Sequence, residues 1–233
     1  MTNTLPKSLY DYLERPKLCK PEDFWDQVRR TVDGKPIEQE QLDQMFSVIR
    51  KSLDLAPSDV LLDLACGNGR LGTEFFNEIK EYLGVDFSDY LIEIAKNNFE
   101  RQPTHRFLTQ SINDFCKYTN DTKRFTKILL YGSFAYLNTA DASDALRFVR
   151  QRFSNIKIFF VGTIPDKQNA KIFFPDIENQ NLEDHTTAIG RWYTKKEFAA
   201  LAEAEGWKVA IVDFPPSFYQ AHYRFNAILT PQA

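Results

Sequence analysis

From Pro57 onward, apolar runs of strand length alternate with stretches whose apolar positions recur every three or four residues. The spacing predicts strands near 60–64, 81–86, 104–108, 125–131 and 157–162, and helices near 70–79, 88–98, 112–118 and 140–153. Such alternation predicts a parallel sheet covered on both faces. The pattern then changes. A capping box at Thr194, Lys195, Lys196 and Glu197 opens a helix that Gly206 closes,. Two strand-like runs follow, Trp207 to Phe214 and His222 to Leu229. No helix separates them, so they are expected to pair antiparallel. Residues 1 to about 56 read as mixed helix and loop, with a turn at Asp33-Gly34. The run Leu42, Met45, Phe46, Ile49 and Leu53 has the spacing of one helical face. This part, 1–56, is expected to be a helical N-terminal cap on a main domain at 57–233. No internal repeat or low-complexity tract is visible.

The segment richest in chemistry is VLLDLACGNGRLG, Val60 to Gly72. A buried strand runs straight into Gly67, Asn68 and Gly69, where a ligand can approach main-chain N–H groups that a side chain would obstruct. In open α/β sheets such crevices lie at the carboxyl ends of strands. Gly67, Gly69 and Gly72 satisfy G-x-G-x-x-G, a weak pattern by itself, and a tight turn without a ligand is the plain alternative. Two carboxylates narrow the choice. Asp63 sits immediately before the loop, where a cationic group fits better than a pyrophosphate. Asp86 ends the second strand in Gly84-Val85-Asp86, placed to accept both hydroxyls of a ribose. Together they point to an adenosine ligand with a positively charged amino-acid end.

On these residues the chain resembles the class I S-adenosylmethionine-dependent methyltransferases. The resemblance covers about 57–233 and rests on D-L-A-C-G-N-G at 63–69, G-V-D-F-S at 84–88 and the two trailing strands. It implies an α/β fold whose seven-stranded, mostly parallel sheet has an antiparallel last strand and helices on both faces. It also implies S-adenosyl-L-methionine as cofactor and S-adenosyl-L-homocysteine as product. Carried over, Asp63 orients the methionine amino group, Gly67 and Gly69 lie against the cofactor, and Asp86 holds the ribose. Ala65, Phe87, Ser111, Ile112 and Tyr131 complete the expected cofactor site. Ala65 departs from the family, which usually has glycine there. Ser111 falls where the family often has an acid facing the adenine amino group, and Asp114 reads as a helix-start acid.

Composition then bears on the acceptor. In 233 residues, 29 Lys and Arg oppose 32 Asp and Glu, a net charge of −3. That balance disfavours nucleic acid and anionic membranes as partners. No apolar run reaches the roughly 20 residues of a spanning helix, and the opening residues lack a signal-peptide pattern, so a cytoplasmic protein is expected. Cys19, Cys66 and Cys116, odd in number and without metal-type spacing, are expected to be free thiols with no metal site.

The acceptor is expected to be a small polar molecule methylated on a hydroxyl or an amine. The exit of strand four, ILLYGSFAYLN at 128–138, offers Tyr131, Phe134 and Tyr136 and lacks the N/D-P-P-Y-type motif of amino methylases acting on bases. The long polar stretch from Gly162 to Gly190 reads as a lid or binding segment. Histidine is the default base near neutral pH. His222, His185 and Tyr136 are the catalytic candidates, each with a structural role as its alternative, while His105 lies away from the cleft. Tyr12, Phe24 and Trp25 are expected to wall the cofactor. Phrases such as FWDQVRRTVDGKP and HYRFNAIL are similar to a branch associated with sugar and surface-polysaccharide pathways. Two rivals stand beside this reading: a noncatalytic cofactor-binding or assembly protein, and a nicotinamide-dependent oxidoreductase. Oligomeric state is not indicated.

Overall fold

The computed structural model describes residues 6–32 and 35–232. The turn expected at Asp33-Gly34 lies outside the described residues. Seven strands form the main sheet among these residues: β1 (Val60–Leu64), β2 (Glu81–Asp86), β3 (His105–Thr109), β4 (Lys127–Tyr131), β5 (Ile158–Pro165), β6 (Trp207–Val212) and β7 (Arg224–Pro231). Their spatial order is β3-β2-β1-β4-β5-β7-β6. The first five pair in parallel, and β7 is inserted antiparallel between β5 and β6. The helices are α1 (Lys7–Leu13), α2 (Phe24–Gln27), α3 (Gln39–Leu53), α4 (Asp89–Phe99), α5 (Ile112–Tyr118), α6 (Thr139–Arg152), α7 (Ala170–Phe173) and α8 (Lys195–Ala204).

Both faces of the sheet are covered, which explains why β1 and β4 are buried at every position, as central parallel strands are. On one face Leu62, Leu64, Ile128 and Leu130 pack against Phe115 of α5, Leu146 and Val149 of α6 and Phe198 of α8. On the other, Leu61, Leu129 and Phe160 meet Phe46 and Ile49 of α3 and Ile92 of α4.

The expected division at residue 56 needs correction, because α3 is a layer of this core. Its apolar stripe is buried on the sheet, and Lys127 at the start of β4 donates to the carbonyl of Asp54 at its C-terminus over 2.9 Å. Only the segment before it, residues 6–32, lies over the strand ends as a cap.

Three other expectations change. The helix expected near 70–79 is reduced to a short 3₁₀ turn at Gly72–Phe75. Gly72 is a poor helix former, and the Thr73 hydroxyl donates to the Arg70 carbonyl over 2.7 Å, competing with helical pairing,. The stretch after β5 is less polar than it reads. It contains α7 and folds over its own small core of Ala170, Trp192 and Tyr223, packed by Phe174, Ile177, Leu182 and Ile189. Finally, β7 begins at Arg224, so His222 stands in the turn before it.

Candidate functional site

Register places the two carboxylates side by side. Asp63 of β1 is paired with Gly84 of β2, and Asp86 closes β2. Both therefore stand at the carboxyl edge of the sheet, where they open into a cavity of about 900 Å³. The polypeptide turns at this edge through Ala65 (φ 58°) and Gly67 (φ 57°). An alanine thus occupies a left-handed conformation where glycine would be unstrained, at a cost on the order of 1–2 kcal/mol. Space at 67 is also tight, since a Cβ would lie 3.0 Å from Val28 Cγ1.

The carboxylates are buried and held. Tyr82 donates its phenol to Asp63 Oδ2 over 2.7 Å. Burial raises Asp63 to about 7, against the downward pull of that hydrogen bond. Asp86 Oδ2 accepts from the Gly67 N–H over 2.8 Å, and Oδ1 from the Ser88 N–H over 2.9 Å. Oδ2 also accepts from the Tyr12 phenol of α1. Burial raises Asp86 as well, with these donors opposing it.

Of the expected cofactor residues, Asp63, Ala65, Gly67, Asp86, Phe87, Ser111, Ile112 and Tyr131 line this cavity, and Gly69 does not. A Cβ at Gly69 would meet the Phe107 ring at 2.5 Å, so that glycine serves packing between loop and sheet. Ser111 caps α5, its Oγ accepting from the Asp114 N–H over 3.1 Å and donating to Asp114 Oδ2 over 2.8 Å. Its hydroxyl proton is thereby committed to the helix end. Cys66 is buried, and burial raises its thiol well above the usual range, consistent with an inert packed side chain.

Among the catalytic candidates, His222 and Tyr136 line the cavity and His185 does not. Tyr136 donates its phenol to the Ala188 carbonyl over 2.9 Å, which ties the stretch after β5 to the exit of β4. Phe134 is a core residue against Tyr193 and Phe198. Of the expected wall, Tyr12 and Trp25 line the cavity, whereas Phe24 turns to an edge contact with Phe99, centroids 4.9 Å apart.

Further residues line the cavity. Asn68 Nδ2, in the loop itself, donates to the Phe24 carbonyl and to Gln27 Oε1, both at 2.8 Å, and so anchors the cap. Arg30 lies over the Tyr131 ring at 4.8 Å, and Gln220 and Arg224 stand nearby. Nothing in the local pattern marks Arg30, Gln220 and Arg224, because they come from segments about 190 positions apart in a chain of 233 residues.

Comparison with known proteins agrees with this fold. Residues 61–154 match the family described as methyltransferase domain. An S-adenosylmethionine-dependent methyltransferase from Clostridium acetobutylicum is similar with a TM-score of 0.62 and 17% identity, over 90% of this chain and 96% of that one. The magnesium protoporphyrin IX methyltransferase of Synechocystis, with bound S-adenosylhomocysteine, gives 0.61 and 13% identity over 97% and 95%. An uncharacterised RNA methyltransferase of Listeria innocua is 36% identical over 61 residues, 26% of this chain and 13% of the relative. The chain thus matches only about an eighth of that relative's length.

The segment 61–154 thus matches a methyltransferase domain, and the fold of the chain is that of the S-adenosylmethionine-dependent methyltransferases just named. The matched segment holds four of the seven strands of the sheet, and the Synechocystis structure of the same fold binds S-adenosylhomocysteine. Among the described residues, no helix is long and apolar enough to cross a membrane, and no cluster of His, Cys, Asp and Glu has the makings of a metal site.

Proposed function

We propose that this protein transfers the methyl group of S-adenosylmethionine to a hydroxyl or amine of a small polar molecule. The observation that carries the reading is the pair of buried carboxylates, Asp63 and Asp86, at neighbouring strand ends beside the Gly67 amide. This donor set suits the cofactor. Asp63 would take the methionine ammonium, and Asp86 the ribose hydroxyls. Phe87, Ser111 and the Ile112 main chain would flank the adenine, where Asn113 Oδ1 is buried without a partner. Tyr131 would lie beside the sulfonium. When bound, the cofactor supplies a methyl group on a positive sulfur, so the chain itself has to orient the acceptor, exclude water and accept a proton where one must leave.

His222 is the group best placed to accept that proton, since it lines the cavity and no hydrogen bond occupies its ring nitrogens among the described residues. The preference for a small acceptor rests on the cavity, whose volume is of small-molecule size, and on a net charge of −3. The name of the Listeria relative favours RNA instead. Calorimetry tests the cofactor assignment. Asp86→Ala should weaken S-adenosylhomocysteine binding at least tenfold, and an unchanged affinity removes the ribose assignment. Release of S-adenosylhomocysteine on addition of total RNA, but not with any small hydroxyl or amine compound, would transfer the acceptor to RNA.

A further inference from the structure

At the end of the cleft away from Asp86, the exits of β4 and β5 and the entry of β7 bring together two arginines. Arg30 lies over the Tyr131 ring at 4.8 Å, and it reaches there because residue 132 is glycine: a Cβ at Gly132 would stand 2.7 Å from Arg30 Nη2. Arg224 is held by a bulge. The β5–β7 register shifts between Val161 and Ile164, and Thr163 takes a left-handed conformation with φ 58°. The amide and carbonyl freed there are satisfied by Asn226 Oδ1 at 2.9 Å and Arg224 Nη1 at 2.6 Å.

Neither arginine forms an ion pair among the described residues, although Arg29, next to Arg30, is paired with Asp11 at 2.7 Å. Around them several buried polar atoms lack partners: the Tyr131 hydroxyl, Gln220 Oε1 and Arg224 Nε. Tyr131 is 6% exposed and Gln220 9%. The charges of both arginines oppose the rise that burial imposes on the phenols of Tyr131 and Tyr219, and the Arg224 guanidinium lies over the neighbouring Tyr223 ring at 5.1 Å.

Two uncompensated cations beside the place of a sulfonium are costly in a low-dielectric cleft, and a bound anion removes that cost. Guanidiniums match the planar oxygens of carboxylate and phosphate, and an acidic partner of the chain's own would have filled them. We propose that Arg30 and Arg224, with the Tyr131 hydroxyl, form an anion subsite that makes the acceptor a small molecule bearing a carboxylate or a phosphate. Its anionic end is held at the β4–β7 side, which turns the nucleophilic hydroxyl or amine toward Asp63 and the methyl donor. The role as acceptor subsite rests on the methyltransferase reading, whereas the anion site itself does not.

The test is calorimetric titration of the S-adenosylhomocysteine-loaded protein with inorganic phosphate and, separately, with acetate, which distinguishes phosphoryl from carboxylate recognition. Saturable binding of at least one anion is expected. Arg30→Gln should weaken it at least tenfold and leave S-adenosylhomocysteine affinity within twofold. Arg224→Lys, which retains a donor for the Thr163 carbonyl, should weaken it at least threefold. No saturable binding of either anion, or binding indifferent to both variants, overturns the proposal. So does a tenfold loss of S-adenosylhomocysteine affinity in Arg30→Gln with anion binding intact, for the arginine would then serve the cofactor's own carboxylate. Wild-type protein that binds phosphate or acetate but no S-adenosylhomocysteine would retain the anion site and remove the methyltransferase reading.

Discussion

The Tyr12 phenol donates a hydrogen bond to Asp86 Oδ2, the same oxygen that accepts from the Gly67 N–H. Its ring also stacks on Phe87, with centroids 5.2 Å apart and planes 23° apart. One side chain of α1 therefore covers two of the residues assigned to the nucleoside. Two ribose hydroxyls need two acceptor positions on Asp86, and with Gly67 and Ser88 already bonded the phenol has to give one up. Tyr12→Phe removes the competitor and should tighten S-adenosylhomocysteine binding roughly fivefold, the equivalent of about 1 kcal/mol for one hydrogen bond. Weaker binding in this variant would mean instead that the phenol supports the bound cofactor.

If Asp63 takes the methionine ammonium as proposed, cofactor binding should depend on pH. Burial raises Asp63 from 3.8 to about 7, so the folded protein holds this proton more tightly than the unfolded chain does. Its contribution to stability is fully present below pH 3.8 and is lost as pH rises through about 7,. An ammonium partner reverses the preference and favours the carboxylate, so binding expels the proton. S-adenosylhomocysteine affinity should increase from pH 5.5 to about 7 by up to roughly tenfold per unit and then level off. Calorimetry in two buffers of different ionisation enthalpy measures the proton directly. A flat profile, or a slope that survives in Asp63→Asn, would place the ammonium elsewhere.

Ala65 carries strain that a single substitution can report. With φ 58°, glycine relieves the left-handed conformation by about 1–2 kcal/mol and returns about 0.5–1 kcal/mol through the unfolded chain's greater freedom. Ala65→Gly should thus change stability in denaturant by about 0 to +1.5 kcal/mol and retain cofactor binding. Ala65→Val places a β-branched side chain at the same positive φ and should cost upwards of about 2 kcal/mol. Equal stability of the two variants would show that this turn relaxes.

His222 stands in the turn before β7 with its ring against Tyr223, centroids 4.8 Å apart. If it accepts a proton from a hydroxyl acceptor, His222→Gln should lower kcat on the order of a hundredfold. S-adenosylhomocysteine affinity should stay within twofold. Undiminished turnover with an amine acceptor would assign His222 a structural role.

Local periodicity made much of this molecule readable. Fully buried runs such as VLLDL at Val60–Leu64 and KILLY at Lys127–Tyr131 announce central strands because both faces of a parallel sheet exclude polar side chains,. The capping box at Thr194 and Glu197 is local chemistry and forms as its residues predict. Asp63 and Asp86 were legible for the same reason, since each stands at a fixed offset from a strand end. Where short-range pattern misled, a competing contact prevailed. The helix expected near 70–79 gave way around Gly72, where a Cβ would strike the Tyr82 ring. Gly69, expected at the cofactor, is consumed by packing on Phe107.

What the chain order alone determined, then, is the succession of elements and the two carboxylates near the ends of β1 and β2, because these depend on contacts a few residues long. Tertiary structure alone decided that α3 joins the core, that Tyr12 reaches Asp86, and that Arg30, Tyr131 and Arg224 share one end of the cleft. Those groups are separated by many tens of residues, and only the placement of β7 beside β5, together with the cap folded over the strand ends, brings them together.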